Sequence, residues 1–475
     1  MPSLAQHIDA LTEVLERIER PFVWAASARV TGEIVLAFDD GTRVRLTPRT
    51  PGETRAALTT LRKRAKPAAF GDGNETKVDA SVRDGACIRA KDAGLSLEGF
   101  DPATNGVLEA ARQTLMPNAT APLRAELYAL NLYETGGHFA AHKDTPRGAD
   151  MVGTLVACLP FSFEGGTLVL DQEERRVTLR WADEVSDNHL PCAAFFGDVD
   201  HAVQEVTSGS RVTLSFLVYR SPAKKSAKVA PKKSATPKAD ALEANLMKAL
   251  TKVAADADVA AHGGVLRFPC VHQYPVSPKT PPLVALKRAA DTESLAGRDG
   301  VVARAALAAG LDVSLAYYLS VRDESGWMHS DEGNAMEVRL DAPPTPKMLA
   351  KLRRIMERAS DSEAIESWAG SADARPSFVI GSDPGAALHL GRGLTSSTGY
   401  YGNEASEADY YVGASIDVVL PRRGALPTQR NVSHAKFGRG VVVGTSGEGD
   451  ERKVRVRFES GEEKTLLERF VTFGR

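Results

Sequence analysis

Apolar residues in MPSLAQHIDALTEVLERIER recur at helical spacing with charges between them, which predicts an amphipathic helix over about residues 4–20. Two strand-like alternations follow, Glu33–Phe38 and Thr42–Leu46, joined by Asp39-Asp40-Gly41. A DG dipeptide between such runs predicts a tight hairpin. A second helix is expected near 53–65, and the Gly/Asp-rich stretch Phe70-Gly71-Asp72-Gly73-Asn74 is expected to be irregular. From residue 125 the texture changes. AELYALNLYE, VGTLVACLP, TLVL, RRVTLRW, CAAFFG and RVTLSFLVY are short strand-like runs, most of them separated by Gly, Pro and Asp clusters. Such spacing predicts an all-β sandwich or barrel.

Residues 221–240, SPAKKSAKVAPKKSATPKAD, hold six lysines, three prolines and the tetrad KKSA twice. This composition buries too little apolar surface to offset the entropy of ordering, so it reads as a linker. Beyond it, helical runs (ALEANLMKALTKVAADA, MLAKLRRIMERA) mix with strand-like ones (VSLAYYLSV, ASIDVVLP). The last stretch places short strands around GRGVVVG, KVRVRF and EEKTLL. The expected organisation is multi-domain and mainly α+β. An N-terminal α+β region (1–110) packs on a β-rich core (111–220), followed by the basic linker (221–240). An α+β second domain (241–424) and a small SH3-like barrel (430–475) complete it.

Composition changes this picture little. The formal net charge of −2 gives no global attraction to nucleic acid or membrane, so any such binding is local to 221–240 or to the tail. In the tail, Lys453, Arg455 and Arg457 alternate onto one strand face. The four cysteines, Cys87, Cys158, Cys192 and Cys270, form no CxxC pair, which argues against a zinc cluster or a disulfide framework. The charged opening helix does not read as a signal peptide, and no apolar run reaches the roughly 18 residues of a membrane helix. A cytoplasmic protein with no membrane contact is the expectation.

The chemistry lies in Tyr133 to Arg211. Residues i and i+2 of a strand share a face, so His142-Lys143-Asp144 sets an imidazole beside a carboxylate. A third ligand must come from a distant strand, and His201, in Gly197-Asp198-Val199-Asp200-His201, is placed to supply it. Two histidines and one carboxylate leave one face of an octahedral metal open, the arrangement favoured by non-haem Fe(II) oxygenases. Those open positions suit 2-oxoglutarate and dioxygen. A keto acid chelating iron leaves its other carboxylate buried, and that group needs a fixed cation. Arg211, opening RVTLSFLVY, offers a planar fork for it. Thr213 shares its strand face, and Tyr133 can present a hydroxyl from a neighbouring strand.

In order, the chain holds Tyr133, Gly136-Gly137, His142-Lys143-Asp144, Phe163-Glu164-Gly165-Gly166-Thr167-Leu168, His201 and Arg211. This series resembles the catalytic double-stranded β-helix (jelly roll) of the prolyl 4-hydroxylase-like 2-oxoglutarate/Fe(II) dioxygenases. Arg211 stands where many collagen-type members carry lysine, and Phe139 where many carry tyrosine. The resemblance implies iron bound by His142, Asp144 and His201, and 2-oxoglutarate held by Arg211, Thr213 and Tyr133. Beyond the metal site it implies no catalytic residue. Its cofactors are Fe(II), 2-oxoglutarate and dioxygen, with ascorbate as a reductant. The implied reaction hydroxylates an unactivated C–H of a protein or peptide, of prolyl type, with decarboxylation of 2-oxoglutarate to succinate. Two alternatives are an oxygenase acting on a small molecule or nucleic acid, and a scaffold that senses oxygen or 2-oxoglutarate without catalysis.

A second HxD, His329-Ser330-Asp331, with His389 further on, echoes the first spacing, but Gly399 stands where a cation would be needed. A degenerate second β-helix is the reading this favours over a second site. Phe70–Thr76 and Gly402-Asn403-Glu404-Ala405 are similar to motifs of a largely microbial and fungal group of oxygenase-like proteins. The tail from His434 through Leu467 resembles the Tudor-like module of UvrD/PcrA-type helicases. That resemblance implies docking to a transcription or repair partner, or to nucleic acid.

Overall fold

The computed structural model describes residues 3–72, 75–148, 150–186, 188–221, 241–276, 285–286, 289–322, 335–340, 377–380, 388–390, 401–402, 410–412, 414–422, 431–434, 436–446, 453–458 and 463–473. The protein is rich in β-structure. Helix α1 (Leu4–Glu16) starts at a capping box between Ser3 and Gln6. Helix α2 (Pro51–Arg64) is capped by Thr50, begins on proline and ends on Arg62, Lys63 and Arg64, which suit the dipole at a C-terminus. Helix α3 spans Val107–Leu115.

Two eight-stranded sheets contain the sequence-predicted core. Its strands are β1 (Val23–Arg29), β2 (Ala86–Arg89), β3 (Leu123–Glu134), β4 (His138–Lys143), β5 (Met151–Cys158), β6 (Leu168–Gln172), β7 (Arg175–Leu179), β8 (His189–Phe196), β9 (Asp200–Val203) and β10 (Val206–Arg220). The first sheet runs β1-β8-β5-β10-β3-β2, extended by Lys66–Pro67. The second runs β7-β6-β9-β4 and continues into short strands discussed below. RVTLSFLVY is almost continuously buried rather than alternating, because both its faces are covered. Arg211, Thr213 and Ser215 line an internal cavity, while Val212, Leu214 and Phe216 belong to the apolar core. Phe216 meets Phe100 there, with ring centroids 6.1 Å apart.

A second core gathers Leu11 and Leu15 of α1 with Leu246, Leu250 and Val253 of α4 (Ala241–Ala254). Helix α5 spans Ala257–His262 and α6 Gly297–Ala308, and Val301 and Ala305 of α6 join this core. They cover a sheet built on β11 (Gly264–Pro269), β12 (Asp312–Arg322) and β14 (Ala414–Leu420). The opening helix therefore packs with the 241–420 region and not with the strands that follow it in sequence. Strand β13 (Tyr401–Gly402) leaves that region to pair parallel with β4 and antiparallel with Phe70–Asp72. Phe70–Asp72, expected to be irregular, is a strand because it pairs with both β13 and Glu75–Lys77.

The tail forms a five-stranded sheet around Val432, Val442, Val454, Val456 and Phe458. Lys453, Arg455 and Arg457 alternate outward from it. The lysine-rich stretch 222–240 lies outside the described residues, as do His329, Asp331 and the side chain of His389. Among the described residues no helix is long and apolar enough to cross a membrane.

Candidate metal centre

His142 on β4 and His201 on β9 are direct cross-strand partners. A register shift between Phe139 and His142 sets this alignment, an extra residue of the kind that re-aims a side chain. The imidazole centroids lie 4.1 Å apart. Asp144 follows the end of β4, and its backbone N–H donates to Gly197 O at 3.1 Å. His201 Nε2 stands 3.9 Å from Asp144 Oδ1, and one ligand atom from each of the three residues falls within 4.8 Å of the others. All three are buried.

Each histidine is held through its other nitrogen. His142 Nδ1 lies 2.9 Å from Ala140 O, and His201 Nδ1 lies 3.0 Å from Val199 O. A carbonyl can only accept, so Nδ1 carries the proton and Nε2 keeps its lone pair for a metal. Burial, followed by the nearby His201, pushes the His142 pKa well below the ordinary histidine value and keeps the ring neutral. The Thr154 hydroxyl donates to Asp144 Oδ2. That leaves Oδ1 to face the shared centre. Phe139 stacks on His142 at 3.5 Å between centroids, the Arg83 guanidinium caps Phe139 at 4.3 Å, and Phe195 lies 4.6 Å from His201.

Arg211 is 1 % exposed, and its Nε and Nη2 atoms have no hydrogen-bond partner among the described residues. Burial pulls its pKa below the usual arginine value. It stands opposite Tyr133 in the β3–β10 ladder, with its guanidinium carbon 5.8 Å from the Tyr133 ring and 5.6 Å from that of Trp181. Gly166 makes room for it: a Cβ there would sit 2.7 Å from Arg211 Cδ, on a backbone with φ +59°. Thr213 is buried beside Asn131 across the same ladder. Arg211, Thr213, Tyr133 and the three candidate ligands line one cavity of about 70 Å³.

The structure thus brings together all six site residues expected from sequence. The donor set fits a ferrous ion, and a buried cation with two unsatisfied nitrogens fits a carboxylate, since leaving such a charge unpaired costs several kcal/mol. Sequence reasoning missed Thr154, Trp181 and Arg83. Arg83 donates to Ala69 O at 2.8 Å and to Asn131 Oδ1 at 3.1 Å beneath the site. No periodicity points to any of them.

Residues 430–471 match the PcrA/UvrD tudor domain family. No curated protein matches the chain. Among solved structures, the chain is similar to a Pseudomonas putida prolyl-4-hydroxylase at 15 % identity and a TM-score of 0.26, over 45 % of this chain and 100 % of that one. It is similar to a viral collagen prolyl hydroxylase from Paramecium Bursaria Chlorella virus-1 at 11 % identity and 0.26, over 42 % and 97 %. A Trichoplax adhaerens prolyl hydroxylase, solved with a peptide fragment of a hypoxia inducible factor, matches at 12 % identity and 0.26, over 45 % and 89 %.

Proposed function

We propose that residues 111–220, with the N-terminal strands packed on them, form a double-stranded β-helix that acts as a 2-oxoglutarate/Fe(II)-dependent dioxygenase. The observation that carries this reading is one cavity holding a buried His-Asp-His set and a buried guanidinium with no partner among the described residues on two of its nitrogens. Ferrous iron with 2-oxoglutarate and dioxygen supplies, when bound, the oxidation of an unactivated C–H, with 2-oxoglutarate converted to succinate and CO2.

His142 and His201 bind iron through Nε2, and Asp144 through Oδ1. Thr154 restrains the second carboxylate oxygen by hydrogen bonding. Arg211 pairs with the distal carboxylate of 2-oxoglutarate, and the hydroxyls of Thr213 and Tyr133 complete its cradle. Val156, Leu168 and Val203 in the cavity wall exclude water from the reacting atoms. The resemblance of the ordered series from Tyr133 to Arg211 to the prolyl 4-hydroxylase-like dioxygenases is what suggests a peptidyl, prolyl-type substrate. The C-terminal sheet serves as a docking module for a protein or nucleic-acid partner.

The test incubates the full chain with Fe(II), ascorbate, 2-oxoglutarate and proline-rich peptides. The expected outcome is stoichiometric succinate and a peptide product heavier by one oxygen atom. A chain that binds no divalent metal sinks the reading.

A further inference from the structure

The turn Gly197-Asp198-Val199 sits between the candidate ligands and controls two of them. Its Gly197 carbonyl accepts from the backbone N–H of Asp144, and its Val199 carbonyl accepts from His201 Nδ1. The central side chain of the turn, Asp198, points the other way, into the 241–420 region. There its carboxylate oxygens lie 3.1 and 3.2 Å from His272 Nδ1, and Oδ2 accepts from the Gln273 backbone N–H at 2.8 Å. Both residues are buried. A charge-assisted pair in such surroundings is strong and directional.

His272 is itself fixed on every side. Its backbone N–H donates to Asp299 Oδ2 at 3.1 Å, and that of Val271 to Asp299 Oδ1 at 2.9 Å. Phe196, at the end of β8, meets the imidazole edge-on at 4.6 Å. Gly297 gives the ring space, because a Cβ there would stand 2.9 Å from His272 Nε2 on a backbone with φ +47°. Next door, Gln273 Oε1 accepts from Nζ of Lys143, the middle residue of the HxD triplet, at 3.2 Å. One short stretch of the 241–420 region therefore grips both metal-bearing segments from behind.

We propose that His272 is a positioning residue for the metal centre, fixing through Asp198 the turn that orients Asp144 and His201. This rests on the metal-site reading above. The 241–420 region then contributes to metal affinity without contributing a ligand. Groups that hydrogen-bond directly to ligands are worth about 10- to 100-fold in metal affinity, and His272, acting one step further out, is expected near the lower end of that range.

The experiment titrates Co(II), a spectroscopic stand-in for Fe(II), into the metal-free full chain and follows both affinity and the visible d–d bands. His272→Ala is expected to weaken Co(II) binding about 10-fold and to alter the bands. His272→Asn, whose amide nitrogen can take the place of Nδ1, is expected to recover most of the affinity. Val301→Ala opens a cavity in the same core, and it lowers thermal stability while leaving Co(II) affinity unchanged. Wild-type affinity and bands in His272→Ala overturn the proposal alone, as does equal weakening by Val301→Ala. A wild-type chain that binds no Co(II) overturns the metal-site reading and this proposal with it. Where His272→Ala does not fold, Asp198→Asn carries the same test, with weakened binding in support and wild-type binding against.

Discussion

His142 and His201 face each other across neighbouring antiparallel strands, and the bulge in β4 ahead of His142 is what brings them into register. The pairing makes a site of two residues that lie far apart in the chain. It also ties the site to the ladder: a one-residue slip of β4 against β9 would turn His142 away from its partner.

Metal binding should stabilise the fold, because the unfolded chain holds no such cluster. At a metal concentration a hundred times Kd the gain is about 2.7 kcal/mol. Thermal denaturation of the wild type with Co(II) should show the rise, and His201→Ala and Asp144→Ala should abolish it. Chelation should stop succinate formation and added Fe(II) should restore it.

Arg211→Met keeps much of the side-chain volume but removes the cation. Leaving the 2-oxoglutarate carboxylate unpaired should cost about 3 kcal/mol, some hundredfold in affinity for that co-substrate. Titration of 2-oxoglutarate into the metal-loaded protein measures this directly. Metal affinity should hardly change. An equal loss of both affinities would contradict the separate roles given to Arg211 and the ligands.

Gly166→Ala adds one methyl group where Arg211 Cδ already stands, on a backbone that L-residues rarely adopt. The expected result is a loss of about 1–3 kcal/mol in stability, together with weaker 2-oxoglutarate binding as Arg211 is displaced. Chemical denaturation and co-substrate titration check the two effects separately.

The His272–Asp198 pair gives stability a pH dependence of known sign. Burial works against charge on both groups, but their mutual attraction and hydrogen bond, joined by Asp299 beside the histidine and by Lys143 and the Gln273 N–H beside the aspartate, outweigh it. The histidine pKa is therefore raised above 6.5 and the aspartate pKa lowered below 3.8. The raised histidine contributes fully below its unfolded value and loses its contribution as pH climbs through the folded value. The lowered aspartate contributes above its unfolded value and loses that as pH falls through the folded one. The difference in unfolding free energy between wild type and His272→Ala should therefore be larger at pH 6 than at pH 9. A difference that grows with pH would reverse the assignment.

The candidate site was legible because its main residues sit in local patterns: HxD at the end of one strand, Gly165-Gly166 at the end of a later short one, and His201 ten residues before Arg211. Their neighbours were not legible. Thr154 looks like any strand threonine until the fold sets it against Asp144, and Arg83 like any surface arginine until it covers Phe139. The hairpin Val35–Ala37 with Arg43–Arg45 followed from Asp39-Asp40-Gly41. Phe70–Asp72 did not, because one of its two partners, Tyr401–Gly402, lies over three hundred residues later. The opening helix shows the same divide. Its apolar stripe announced that something covers it, while its partner α4 begins more than two hundred residues later and meets it in a second hydrophobic core.

The insertion of Tyr401–Gly402 between β4 and Phe70–Asp72 also fixes an order of events during synthesis. When residue 220 leaves the ribosome, every candidate ligand has been made, yet the sheet bearing His142 still has an open edge. Unpaired strand edges invite mispairing with other chains. That sheet is completed only once residue 402 has emerged, so a truncated product ending in the lysine-rich stretch carries the candidate ligands on an unfinished sheet.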